Sequence, residues 1–195
     1  MKKLSSSRDR QAPLQNVPAC LCILCLSVLL QSCALPCVAP GPGQAHIISD
    51  VPFYAQGKNQ CGPASLAGVL GHWGIPVPPE EIARDIYSDS ANGTLTMDMV
   101  IYAQERGLTA EQYSGSMSDL RKKIDEGYPF IVLVDTGLFV FEMSHFMVIT
   151  GYSPEVIIAN SGRERSKCIP EKDFMKAWEK TNFWTLFISP KGEKR

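Results

Sequence analysis

The chain has 195 residues, 45% of them hydrophobic and 20% charged, with a formal net charge of −1. That length builds one domain of ordinary size with its own core. The near-neutral balance and the lack of any basic block exclude nucleic acid as a favoured partner.

Residues 1–18 are polar and basic, with Lys2, Lys3, Arg8 and Arg10 set against Asp9. An apolar run from Ala19 to Leu30 follows. At about 1.5 Å per residue it is too short to cross a bilayer core of about 30 Å. A basic start, a short apolar run and small residues after it describe a secretory signal peptide. Leu30-Gln31-Ser32-Cys33 resembles the lipobox of bacterial lipoproteins, apart from the less usual Gln31. The resemblance implies a signal peptide over residues 1–32, lipid on Cys33 and a place in the envelope facing the periplasm. Ala34 after the lipidated cysteine favours the outer membrane by the same resemblance; an uncleaved anchor is the alternative. Loss of four bases and one acid with the signal takes the net charge from −1 to −4. Membrane attachment would then rest on lipid, not on a basic patch against anionic headgroups.

Residues 33–45 read as a flexible Pro/Gly tether, 46–190 as the folded domain and 191–195 as a charged, disordered tail. Cys37, Cys61 and Cys168 remain after the signal and Cys33 are set aside. Export permits disulfides, which leaves a bridge between Cys37 and Cys168 open. No metal-ligand spacing such as C-x-x-C survives, so neither metal nor cofactor is expected.

Within the domain, residues 46–54 read as extended, leading into a loop. After Cys61, Leu66, Val69, Leu70 and Trp73 recur at helical spacing. This predicts a helix with Pro63 in its first turn and Gly74-Ile75-Pro76 as its stop. Residues 79–87 predict a second helix, with Glu80 and Glu81 where the helix dipole favours acids. Residues 96–106 predict a third, ended by Gly107. Residues 116–126 predict a fourth, capped by Ser116 or Ser118 and stopped by Gly127. Strands are then predicted over 130–134, 144–151 and 155–160, a short helix over 171–180 and a last strand over 183–189. Helices first and an antiparallel sheet later make an α+β fold.

Cys61 carries the candidate chemistry. It stands at a helix N-terminus, where the positive end of the helix eases loss of the thiol proton. Three histidines could act as its base. His72 lies on the same helix, roughly 16 Å along it at 1.5 Å per residue, and is excluded. His46 borders the tether, where a fixed pose is hard to hold. His145 opens the apolar run Phe146-Met147-Val148-Ile149, where a titratable ring needs a reason. A tight hairpin through Gly151-Tyr152-Ser153-Pro154, with Gly151 paired to Pro154, sets His145 opposite Asn160. Facing side chains lie about 5 Å apart, so Asn160 could orient the imidazole. Asp135, at the end of another strand, is the second candidate for that role. Gln56, five residues before Cys61, could donate its side-chain N–H to a substrate oxyanion together with the backbone N–H of Cys61. Gln60 is nearer in sequence, but an immediate neighbour points away from the thiol.

Val51-Pro52-Phe53, then Gln56, then Cys61-Gly62-Pro63-Ala64-Ser65-Leu66 resemble the papain-like bacteriocin-processing peptidases, which cut double-glycine leader peptides. Further matches are Gly93-Thr94, Gly107-Leu108, Asp119-Leu120, the stretch from Gly127 to Val132 and that from Ser144 to Val148. The resemblance implies a papain-like cysteine peptidase fold and a peptide or protein substrate. It implies Cys61 as nucleophile, His145 as base and Gln56 as oxyanion-hole residue. Two departures matter. Asn160-Ser161 stands where the family has Asp-Pro, and asparagine orients a ring without a charge to stabilise imidazolium. No Walker motif occurs, so the resemblance reaches the peptidase module and not a fused transporter. A cell-wall peptide substrate, and a catalytically weak peptide- or partner-binding envelope module, are the alternatives.

Overall fold

The computed structural model of the protein describes residues 45–57, 59–137 and 143–192. The expected signal peptide, the expected lipidation site Cys33, and Cys37 lie outside them.

In chain order the elements are β1 (His46–Ile47), α1 (Cys61–His72), α2 (Pro79–Ile86), β2 (Tyr87–Ser88), β3 (Gly93–Thr94), α3 (Thr96–Glu105), β4 (Leu108–Ser114) and α4 (Met117–Asp125). Then come β5 (Phe130–Asp135), β6 (Ser144–Tyr152), β7 (Val156–Ser161), β8 (Glu164–Pro170), α5 (Glu171–Glu179) and β9 (Trp184–Pro190). The local chemistry behind the helices is plain. Ser116 Oγ accepts the Asp119 N–H at 3.2 Å and so caps α4. Pro79 and two acids open α2. Gly107 and Gly127, at φ of 82° and 83°, follow α3 and α4 in the left-handed conformation that ends helices.

Seven strands form one antiparallel sheet in the order β4-β9-β5-β6-β7-β8, with β1 beside β6 where β5 has ended. The strands β2 and β3 make a separate two-stranded ribbon. Alternation of side chains along the strands gives the sheet two apolar faces. One face presents Ile131, Phe146, Val148, Leu186 and Ile188 to α1, α2 and α3. The other presents Val132, Met147, Ile149, Ile157 and Phe187 to α4 and α5. The α+β expectation holds, with helices on both faces. Each fully buried Leu, Ile or Phe contributes about 1.5–3 kcal/mol of transfer free energy. From Gly62 to Leu70 every residue of α1 is buried, as a helix enclosed on all sides requires.

Two strands of the main sheet were not foreseen from the sequence. β8 is a charged edge strand with little apolar alternation. β4 buries Leu108 and Ala110 two residues apart, a signal that was available. The register of β6 against β7 also differs from the expected one. Val148 faces Asn160, Ile149 faces Ala159 and Gly151 faces Ile158, with a bulge between Ile149 and Gly151. Gly151 is a strand residue here, not a turn residue. β1 crosses so close that a Cβ at this position would lie 2.6 Å from the His46 carbonyl oxygen. The turn is made further on, where the Ser153 N–H bonds the Val156 carbonyl at 2.8 Å.

Candidate active site

Cys61 is the first residue of α1. It is half-buried and a free thiol. No side chain caps this helix and no acid stands in its first turn, so its positive end faces Cys61 unneutralised. Several contacts fix the direction of α1 along the sheet. His72 Nδ1 lies 3.3 Å from the Asp50 carboxylate, and the neighbouring Ile48 N–H bonds the Thr150 carbonyl. Gly68 packs against Val148 and the Pro52 carbonyl. The Gln56 N–H bonds the Gly162 carbonyl at 2.8 Å. Successive positions along α1 thus follow β6 from Thr150 toward its beginning; His145 stands there opposite Val134, on the other face of the strand from Val148.

His145 is half-buried, and its Nε2 lies 3.0 Å from Ser161 Oγ. Burial, and then the Lys167 ammonium, hold its pKa below the ordinary imidazole value. Ser161 is itself buried, at 6% exposure. Sequence reasoning passed over it by one residue. Asn160, expected to orient the ring, does not do so. It faces Val148, so its side chain leaves the sheet on the face opposite to His145. Its Oδ1 accepts the Ser166 N–H at 3.0 Å. Asp135, the second candidate, is also occupied elsewhere. Its Oδ1 accepts the N–H groups of Gly137 and Met143 at 2.7 and 2.8 Å, and these bonds lower its pKa. It pairs with Ser144, one step from the Val134–His145 pair, and so points to the other face.

The remaining histidines are placed apart from Cys61. His72 ends the same helix, and His46 contacts the Asp125 carboxylate at 2.6 Å while stacking on Tyr152. Among the described residues no hydrogen bond joins Cys61 to His145.

Several buried polar atoms near Cys61 lack a partner. Gln56 Oε1, Ser65 Oγ and Thr94 Oγ1 make no hydrogen bond among the described residues. Such atoms are rare, and each calls for an explanation. Ser65 stands one turn beyond Cys61. Thr94 packs on Gly62, where a Cβ would lie only 2.7 Å from the Thr94 Cβ. Gly62 is therefore fixed by the approach of β3. Cys168 is disulfide-bonded. Among the described residues no cluster of three or more His, Cys, Asp or Glu could hold a metal ion, and no helix is long and apolar enough to cross a membrane.

The sequence profile of the Peptidase_C39 like family matches residues 48–185. The chain belongs to this family. The match spans both Cys61 and His145, together with the Gln56 loop and the β7–β8 turn. The papain-like fold is shared with solved C39 domains. The peptidase domain of Streptococcus ComA, a bifunctional ABC transporter of a quorum-sensing pathway, is 22% identical. It covers 73% of this chain and 100% of its own, with a TM-score of 0.61. A C39-like peptidase from Bacillus anthracis is 18% identical, covering 75% and 98%, with a TM-score of 0.62. A double glycine motif protease from an AMS/PCAT transporter, in complex with its leader peptide, is 24% identical, covering 74% and 94%, with a TM-score of 0.59. No curated protein matches the chain in sequence. The C39-like assignment makes peptidase chemistry the first hypothesis for the groups around Cys61.

Proposed function

We propose that this chain is an exported, lipid-anchored cysteine peptidase that hydrolyses a peptide bond through an acyl-enzyme on Cys61. The observation that carries the reading is the Ser161–His145 hydrogen bond of 3.0 Å. It lies one residue from the turn carbonyl that anchors the Gln56 loop. With Nε2–H donating to Ser161, Nδ1 keeps its lone pair and takes the Cys61 proton. The thiolate attacks the peptide carbonyl carbon, and the oxygen becomes an oxyanion. The Cys61 backbone N–H and the Gln56 side-chain amide receive that charge. For this the Gln56 amide turns over by half a turn, exchanging the buried Oε1 for Nε2. His145 then protonates the leaving amine, and water attacks the thioester to release the acid and restore the thiol. Catalytic hydrogen bonds often close only in the substrate complex, so the missing Cys61–His145 bond is compatible with this sequence of steps.

A peptide substrate is supported by the leader peptide bound to one structural neighbour. A second reading, a peptide-binding module with little turnover, draws on the neutral Ser161 hydroxyl. A carboxylate there would stabilise imidazolium better. N-terminal profiling of envelope proteins separates the two. New N-termini are expected with the unsubstituted chain and their complete loss with Cys61→Ala. Identical profiles would overturn the peptidase reading in favour of the binding module. Lipid attachment has its own check: labelled palmitate is expected in the chain and not in a Cys33→Ser variant. Label retained in that variant would overturn the anchor at Cys33.

A further inference from the structure

The β2–β3 ribbon stands outside the main sheet, and its strands have two residues each. A hairpin of this size has no stability of its own in water. Its contacts converge on the chain around Cys61. Asn59 Nδ2 donates to Asn92 Oδ1 at 2.7 Å, two residues before the thiol. The Tyr87 hydroxyl donates to the same oxygen at 3.2 Å. Thr94 sits on Gly62, one residue after the thiol. The ribbon thus grips the nucleophile from both sides. Both asparagines adopt left-handed backbone conformations, with φ of 59° and 50°, which asparagine tolerates better than most residues.

We propose that Asn92 is a positioning residue that latches the loop before Cys61 and so holds the oxyanion-binding groups in register. The proposal rests on the peptidase reading above. Residues 56, 57, 59 and 60 form no helix or strand. The Gln56–Gly162 bond pins one end of this loop, and the Asn59–Asn92 bond pins the other. Oxyanion donors act only when held within a fraction of an ångström of the developing charge. The Asn59–Asn92 bond adds a fixed point between Gln56 and the start of α1, and so limits how far Gln56 and the Cys61 N–H can shift from that relation. The two-donor environment of Asn92 Oδ1 holds the acceptor still, because a flipped amide would set donor against donor.

Two reactions at the same sulfur separate positioning from general damage. Acylation by p-nitrophenyl acetate passes through an oxyanion; alkylation by iodoacetamide does not. Each is followed on the full chain by mass spectrometry of the peptide containing Cys61, with Cys61→Ala as blank. Asn92→Gly keeps the left-handed backbone and removes the acceptor, and Asn92→Asp restores an oxygen acceptor. We expect Asn92→Gly to slow acylation about tenfold, to leave alkylation within about twofold, and Asn92→Asp to recover acylation. Unchanged acylation in Asn92→Gly overturns the latch, as does an equal fall in both reactions. If the unsubstituted chain acylates no faster than a small free thiol, the peptidase reading itself falls, and the latch with it.

Discussion

Replacing Gln56 with alanine is expected to lower turnover by about 10²- to 10³-fold, a loss of about 3–4 kcal/mol of transition-state stabilisation. Folding stability should not fall with it. The loop is anchored through the Gln56 backbone N–H, which the substitution leaves in place. The side chain, by contrast, keeps Oε1 buried without a donor. A buried unsatisfied acceptor costs about 1–3 kcal/mol, so its removal holds stability level or raises it. Activity and stability are therefore expected to move in different directions. Steady-state cleavage of a substrate peptide and urea unfolding of the same sample check both halves. Normal turnover would take Gln56 out of the mechanism. A large loss of stability would make it a structural residue.

The second large effect concerns Ser161. A neutral hydroxyl orients His145 but adds no charge to favour imidazolium. Burial already disfavours the charged ring, and Lys167 adds to that. The neutral imidazole is therefore favoured at rest. Ser161→Asp places a carboxylate beside Nε2 and raises the His145 pKa. Each unit of that rise multiplies the thiolate–imidazolium population about tenfold while the neutral pair dominates. Alkylation of Cys61 by iodoacetamide at pH 6 is expected to quicken by about that factor or more. Peptide cleavage at the same pH should follow. An unchanged labelling rate would mean that His145 does not govern the thiol. The buried position tolerates the new charge only if it stays paired with the ring, so the variant's melting temperature is measured alongside.

Much of the fold was open to sequence reasoning because it follows short-range rules. Proline and glycine mark the ends of α1, serine caps α4, and apolar runs mark β5 and β6. The placement of Cys61 at a helix start was legible for the same reason: the cysteine and its helix are contiguous. The partner of His145 was not. It depends on how two strands slide past each other, and that was settled by a bulge beside Gly151 and by the approach of β1. Neither leaves a local signature. A glycine in a sequence reads as a turn, whereas this one makes room for a crossing strand. The error in register exchanged Asn160 for Ser161, because one residue along a strand changes the face. The ribbon at residues 87–94 was missed on other grounds. It contains no apolar alternation and is held by contacts with residues far away in sequence.

The β7–β8 turn touches both halves of the site. Ser161 reaches the imidazole, and the next residue, Gly162, receives the Gln56 N–H. In the proposed mechanism, proton transfer and oxyanion binding therefore share one mechanical support. Lengthening that turn by a single amino acid would disturb both functions together. A change in either half would be felt by the other through two adjacent peptide units.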